Sequence, residues 1–125
     1  MPTTGLYKKI KKMTRQEEIL QGQIVMWFNN NHLQQHKCLF AVDNNSKNKI
    51  AGAMAKAKGV KSGVSDLVLV CPNAKTVYIE LKTDSGTQDP EQKVFQAQIE
   101  TFGHIYIICR SLDQFKEIVK THFYL

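Results

Sequence analysis

Cysteine, tryptophan and proline are scarce in this chain, at 3, 1 and 3 of 125 residues. Cys38, Cys71 and Cys109 are widely separated, odd in number and each set in an apolar run, a pattern that excludes a disulfide framework and reads as buried thiols in a reducing compartment. His32 and His36 have the spacing of a helical metal pair, but the only further ligand nearby in sequence is Cys38, too few for a structural zinc site. Apolar runs such as Ile24 to Phe28 and Leu67 to Cys71 stop at five residues, far short of the roughly 20 that span a bilayer, so no membrane-crossing helix is expected. Gly59 to Gly63 fails the Walker spacing, and no dinucleotide fingerprint occurs.

Acidic residues are missing from two stretches. Met1 to Arg15 carries Lys8, Lys9, Lys11, Lys12 and Arg15, and the residues between Asp43 and Asp66 carry Lys47, Lys49, Lys56, Lys58 and Lys61. Ten of the 17 cations therefore sit in two segments of a chain whose net charge is +6, a clustering that favours a polyanion through counterion release. A solvated tail and a solvated loop would look the same, so charge leaves both readings open. No apolar segment follows the first basic stretch as it would in a secretory signal, and the expected location is the cytoplasm. The size suits one domain, with residues 1–13 as a basic tail and 14–125 as the folded unit.

Hydrophobic periodicity orders the elements. Thr14 and Glu17 form a capping box opening a helix whose Leu20, Ile24, Trp27 and Phe28 make one stripe, with Glu17 on the same stripe. Residues 38–42 read as a strand, followed by about twenty residues rich in Asn, Lys, Gly and Ala without a clear period. Residues 65–71 and 76–82 form a hairpin across Pro72 to Lys75, and a second helix opens at Asp89 and Pro90, with Gln92 three residues after the Asp, and closes at Gly103. A strand from His104 to Cys109 and a helix from Ser111 complete the order α-β-β-β-α-β-α. The helix between the last two strands predicts a parallel crossover, hence an α/β fold with a mixed sheet flanked by helices.

Chemistry is concentrated in the hairpin. If it pivots on Asn73, Asp66 lies opposite Glu80, and alternation puts Lys82 on the same face. Two carboxylates this close repel unless a cation sits between them, and hard oxygens suit Mg²⁺ or Mn²⁺. Glu17 can supply a third carboxylate, and Lys82 can position water or offset transition-state charge. The ordinary alternative is a solvated Asp, Glu, Lys cluster on a polar sheet face. The glycines of Gly59-Val-Lys-Ser-Gly-Val-Ser-Asp66 permit close backbone approach to a phosphate at Ser62 and Gly63.

Gly-Val-Lys-Ser-Gly-Val-Ser-Asp-Leu-Val-Leu, then Tyr-Ile-Glu-Leu-Lys-Thr, then Asp-Pro-Glu-Gln-Lys-Val-Phe and Phe-Gly-His-Ile-Tyr-Ile-Ile-Cys-Arg-Ser together resemble the VRR-NUC (virus-type replication-repair nuclease) family of the PD-(D/E)xK superfamily, over about residues 14–120. The resemblance implies a restriction-endonuclease-like fold and Mg²⁺-dependent cleavage of DNA, with Mn²⁺ able to substitute. It further implies a homodimer acting on Holliday junctions or other branched DNA in phage or bacterial replication, recombination or repair. By the same resemblance Asp66, Glu80 and the Leu81 carbonyl are metal ligands, Lys82 is the catalytic lysine, Glu17 or its neighbour Glu18 is the helix carboxylate, and Gln92 is the motif glutamine, which also has the place of a capping residue. Ser65 stands where the family often has Pro, a change expected to loosen that turn, and Asn44, Asn45 and Ser46 only approximate the family's Asn-Gly. The rival class is a nucleic-acid-binding module of the same fold without a working metal site. A sequence-specific restriction enzyme is disfavoured, because the chain leaves no room for a recognition domain.

Overall fold

A computed structural model describes residues 13–42, 49–83 and 85–124, with the side chain of Lys49 outside that set. The expected basic tail up to residue 12, Lys47 and the stretch holding Asn44 to Ser46 therefore lie outside the described residues. Met13, assigned to the tail by sequence, packs against the core instead.

In chain order the elements are α1 (Arg15–Asn31), a 3-10 turn at His36–Cys38, β1 (Leu39–Ala41), α2 (Lys49–Ala57), β2 (Leu67–Cys71), β3 (Lys75–Leu81), α3 (Pro90–Thr101), β4 (Ile105–Cys109) and α4 (Leu112–His122). Strand order in the sheet is β1-β2-β3-β4, antiparallel for the first two pairs and parallel for β3 with β4. This is the mixed α/β sheet expected, with one correction. The segment without apparent period contains a helix, α2, because its apolar residues recur at helical spacing but face outward rather than into a core.

The hairpin register pairs Leu67 with Ile79 and Cys71 with Lys75, so it pivots on Asn73. Asn73 and Ala74 take the left-handed conformation, at φ 65° and 59°, that a tight right-twisted connection requires. Alternation then sends Leu67, Leu69, Val77, Ile79 and Leu81 to one face, where they meet Leu20, Ile24 and Phe28 of α1 and Phe115, Ile118 and Val119 of α4 in the principal core. Tyr78 and Tyr106, neighbours across β3 and β4, point to the opposite face, where Phe95 of α3 makes edge-on ring contacts with both, at 5.2 and 6.2 Å. Both faces of β3 are therefore covered toward its C-terminal end, and Glu80 lies inside the protein.

His32 joins the packing rather than a metal site. Its ring stacks on Phe28 at 4.4 Å, and its nitrogens meet the Phe28 carbonyl at 3.2 Å and the Tyr124 hydroxyl at 3.1 Å. Phe115 and Phe123 are core residues and Tyr124 is half exposed. Among the described residues the three cysteines are free thiols, and no helix is long and apolar enough to cross a membrane.

Candidate active site

The site forms where β2 enters the sheet and β3 leaves it. Continuing the register one step beyond Leu67 and Ile79 sets Asp66 beside Glu80. The Asp66 N–H donates to the Ile79 carbonyl at 3.0 Å, and its Oδ2 accepts the Leu81 N–H at 2.7 Å, so backbone bonds fix both ends of this residue. Ser65 is 2% exposed and its hydroxyl donates to the Leu67 carbonyl at 3.1 Å, which pins the turn expected to be loose without proline.

Lys82 extends the parallel pairing by donating its N–H to the Cys109 carbonyl at 3.2 Å, and its Nζ lies 3.6 Å from Glu80 Oε2. Exposure of Lys82 is 1% and of Glu80 4%, against the solvated cluster that an ordinary polar face would show. The loop after β3 covers the lysine stem: a Cβ on Gly86 would sit 3.4 Å from Lys82 Cδ, and Arg110 Nη2 donates to the Gly86 carbonyl at 2.7 Å. Arg110 thereby holds down the loop that buries Lys82, a role sequence reasoning did not assign.

Glu17 arrives from α1. Its Oε1 accepts the Thr14 N–H at 3.0 Å in a complete capping box, and it is 6% exposed, whereas Glu18 faces solvent. Burial holds the Asp66 carboxyl above its ordinary pKa of 3.8, and the charge of Glu17 pushes the same way. The Leu81 N–H, a side-chain hydrogen bond with Glu80 and the Lys82 ammonium pull it back down. Asp66 thus interacts with Glu17, Glu80 and Lys82, and Lys82 with Glu80.

Among the described residues no group of three His, Cys, Asp or Glu side chains is arranged to hold a metal ion. A Mg²⁺ site does not need three: the ion commonly keeps several waters and takes only one or two carboxylates. Asp66 and Glu80 supply that hard-oxygen pair, and a cation between them would replace the proton that a hydrogen bond between two carboxyls requires. The residues therefore fit the ion.

Other predicted positions have definite roles. Gln92 is 4% exposed; its Oε1 accepts the Asp89 N–H at 3.1 Å while its own N–H donates to Asp89 Oδ1 at 3.0 Å, the capping reading in full. Its side-chain NH₂ is what the cap leaves for chemistry. Ser62 donates its hydroxyl to Glu91 Oε2 at 2.7 Å, and a Cβ on Gly63, at φ 76°, would lie 2.6 Å from the Glu91 Cβ. The close approach that Gly63 permits is thus to the first turn of α3. Lys58 and Lys61 are exposed and Lys56 is partly buried.

Sequence reading passed over Tyr106 because β4 looked like a plain buried strand. It shares a sheet face with Glu80, and burial raises the pKa of its hydroxyl, with Gln88 opposing and the charges of Glu80, Asp66 and Asp89 adding to the rise. Alternation of β4 against β3 was the available signal.

No relative is found among curated proteins. A solved structure described as a VRR_NUC domain protein superimposes with a TM-score of 0.70 over 90% of both chains at 18% identity, which establishes a shared fold. The VRR-NUC domain model matches residues 5–113. The match spans both hairpin strands, α3 and β4 and so includes every residue of the site, and by it the chain belongs to the VRR-NUC domain family.

Proposed function

We propose that this protein is a Mg²⁺-dependent endonuclease that hydrolyses DNA phosphodiesters, with branched DNA as its preferred substrate and a homodimer as its working form. The observation that carries the reading is the burial of Lys82 against Glu80 beside Asp66. A buried ion pair is seldom more stabilising than apolar residues of the same volume, so its presence is better explained by chemistry than by folding.

Asp66, Glu80 and the Leu81 carbonyl would hold the ion, with the Glu17 charge acting on Asp66; Mg²⁺ would supply neutralisation of phosphate charge and acidification of water. The Lys82 ammonium, kept from bulk solvent, orients the attacking water and offsets the charge that grows on the phosphate oxygens. Gln92 contributes through its NH₂ group. Lys47, Lys49, Lys56, Lys58 and Lys61 bring the DNA backbone to the segment that runs directly into Asp66, and Ser62 and Gly63 hold that segment against α3. This chemistry suits a role in replication, recombination or repair in a bacterium or phage, in the cytoplasm.

Nicking of supercoiled plasmid and of a four-way junction, with Mg²⁺ and with EDTA, tests the reading. Cleavage that needs the metal and disappears in Asp66→Asn supports it. DNA binding without metal-dependent cleavage would instead establish the binding-module alternative.

A further inference from the structure

The segment that leads into the site carries an unexplained surface. Ile50, Ala53, Met54 and Ala57 recur at the spacing of one helix face, and all four are exposed, Ile50 at 74% and Met54 at 57%. An amphipathic helix ordinarily turns such a stripe into a core; α2 turns it to solvent. From Lys49 to Ser65 the chain has four lysines and no acid, so the segment that carries the ridge contributes positive charge alone.

The helix also has a definite stop. Its end is a Schellman cap, in which the Val60 N–H donates to the Ala55 carbonyl at 2.9 Å and the Gly59 N–H to the Lys56 carbonyl at 3.0 Å, with Gly59 at φ 103°. Four residues on, Gly63 and Ser62 lock onto Glu91, and Ser65 and Asp66 follow. The chain between the helix and the carboxylates is thereby anchored to α3.

Positive charge around an apolar ridge selects a partner that is anionic at its rim and apolar within. Intact duplex DNA offers phosphates and base edges, but its apolar base faces are hidden in the stack. Those faces become available where stacking is interrupted, and aliphatic side chains are able to cover them. We propose that the Ile50–Met54 ridge of α2 is the surface that recognises interrupted stacking in DNA, with Lys56, Lys58 and Lys61 holding the flanking backbone. The inference rests on the nuclease reading and names what selects the substrate.

Binding is measured in EDTA, by fluorescence anisotropy, on a four-way junction and on a continuous duplex of equal length, for the wild type and for Ile50→Ser/Met54→Ser. Both side chains are exposed, so the variant should melt like the wild type. The wild type is expected to prefer the junction, and the variant to lose about tenfold of that preference with duplex affinity nearly unchanged. An unchanged preference, or a wild type with none, overturns the inference. So does a parallel fall in both affinities accompanied by dimer dissociation in sedimentation, which would make the ridge a contact between copies. Because no cleavage is read, failure of the nuclease reading shows separately, as absent Mg²⁺-dependent nicking by the wild type.

Discussion

Asp66, Lys82 and Cys71 show how environment changes ordinary side chains. Because burial raises the folded-state pKa of Asp66 above 3.8, its protonated form stabilises the fold fully below that pH, and this contribution is lost as pH rises through the folded pKa. Asp66→Asn should therefore melt higher than the wild type at neutral pH without metal, lose that advantage below pH 3.8, and lose cleavage; calorimetry and nicking assays check all three. Lys82→Ala should lower the cleavage rate about 10²-fold or more and destabilise the fold by about 3–5 kcal/mol by leaving a buried charge unpaired. Glu80→Gln/Lys82→Ala should regain stability in urea titrations but no activity, since both charges are then gone. Burial, with Cys38 adding, pushes the Cys71 thiol up to about 11, so it stays protonated and folded protein should resist iodoacetamide at Cys71 near pH 8, read by peptide mapping.

Elements differ in how well local sequence announces them. Thr14, Asp89 and Ser111 each cap a helix as expected, because capping is decided within four residues. The hairpin was equally legible from Pro72 to Lys75, yet Ala74 at φ 59° was not, since alanine carries no signal for a left-handed backbone. Ala74→Gly should raise stability by roughly 0.5–1 kcal/mol, measured by chemical denaturation. Helix α2 escaped notice because the expected period is that of a buried face, and this helix buries little of its apolar stripe. Gly63→Ala should have a local cost: the added methyl meets Glu91, shifting the loop and weakening DNA binding while the rest of the fold survives.

At the scale of the whole molecule, the net charge of +6 and its two clusters predict salt-sensitive DNA binding. Replacing Lys47, Lys49, Lys56, Lys58 and Lys61 with Gln should flatten the slope of log K against log salt by up to about four units. Cleavage at saturating DNA should persist, and an unchanged slope would assign the DNA to another face. The sequence by itself determined every element type except helix α2, the hairpin pivot, the facing of Asp66 toward Glu80 and Lys82, and the family, since period, capping and strand register are local properties. Tertiary structure alone decided that Lys82 is buried, because the cover comes from the Gly86 loop that Arg110, 24 residues away, holds in place. It likewise decided that Glu17 rather than Glu18 acts on Asp66, that Tyr106 stands by the same acids, and that Gly63 closes on Glu91. Each of these depends on which segments meet in space, and burial and electrostatic coupling follow from such meetings.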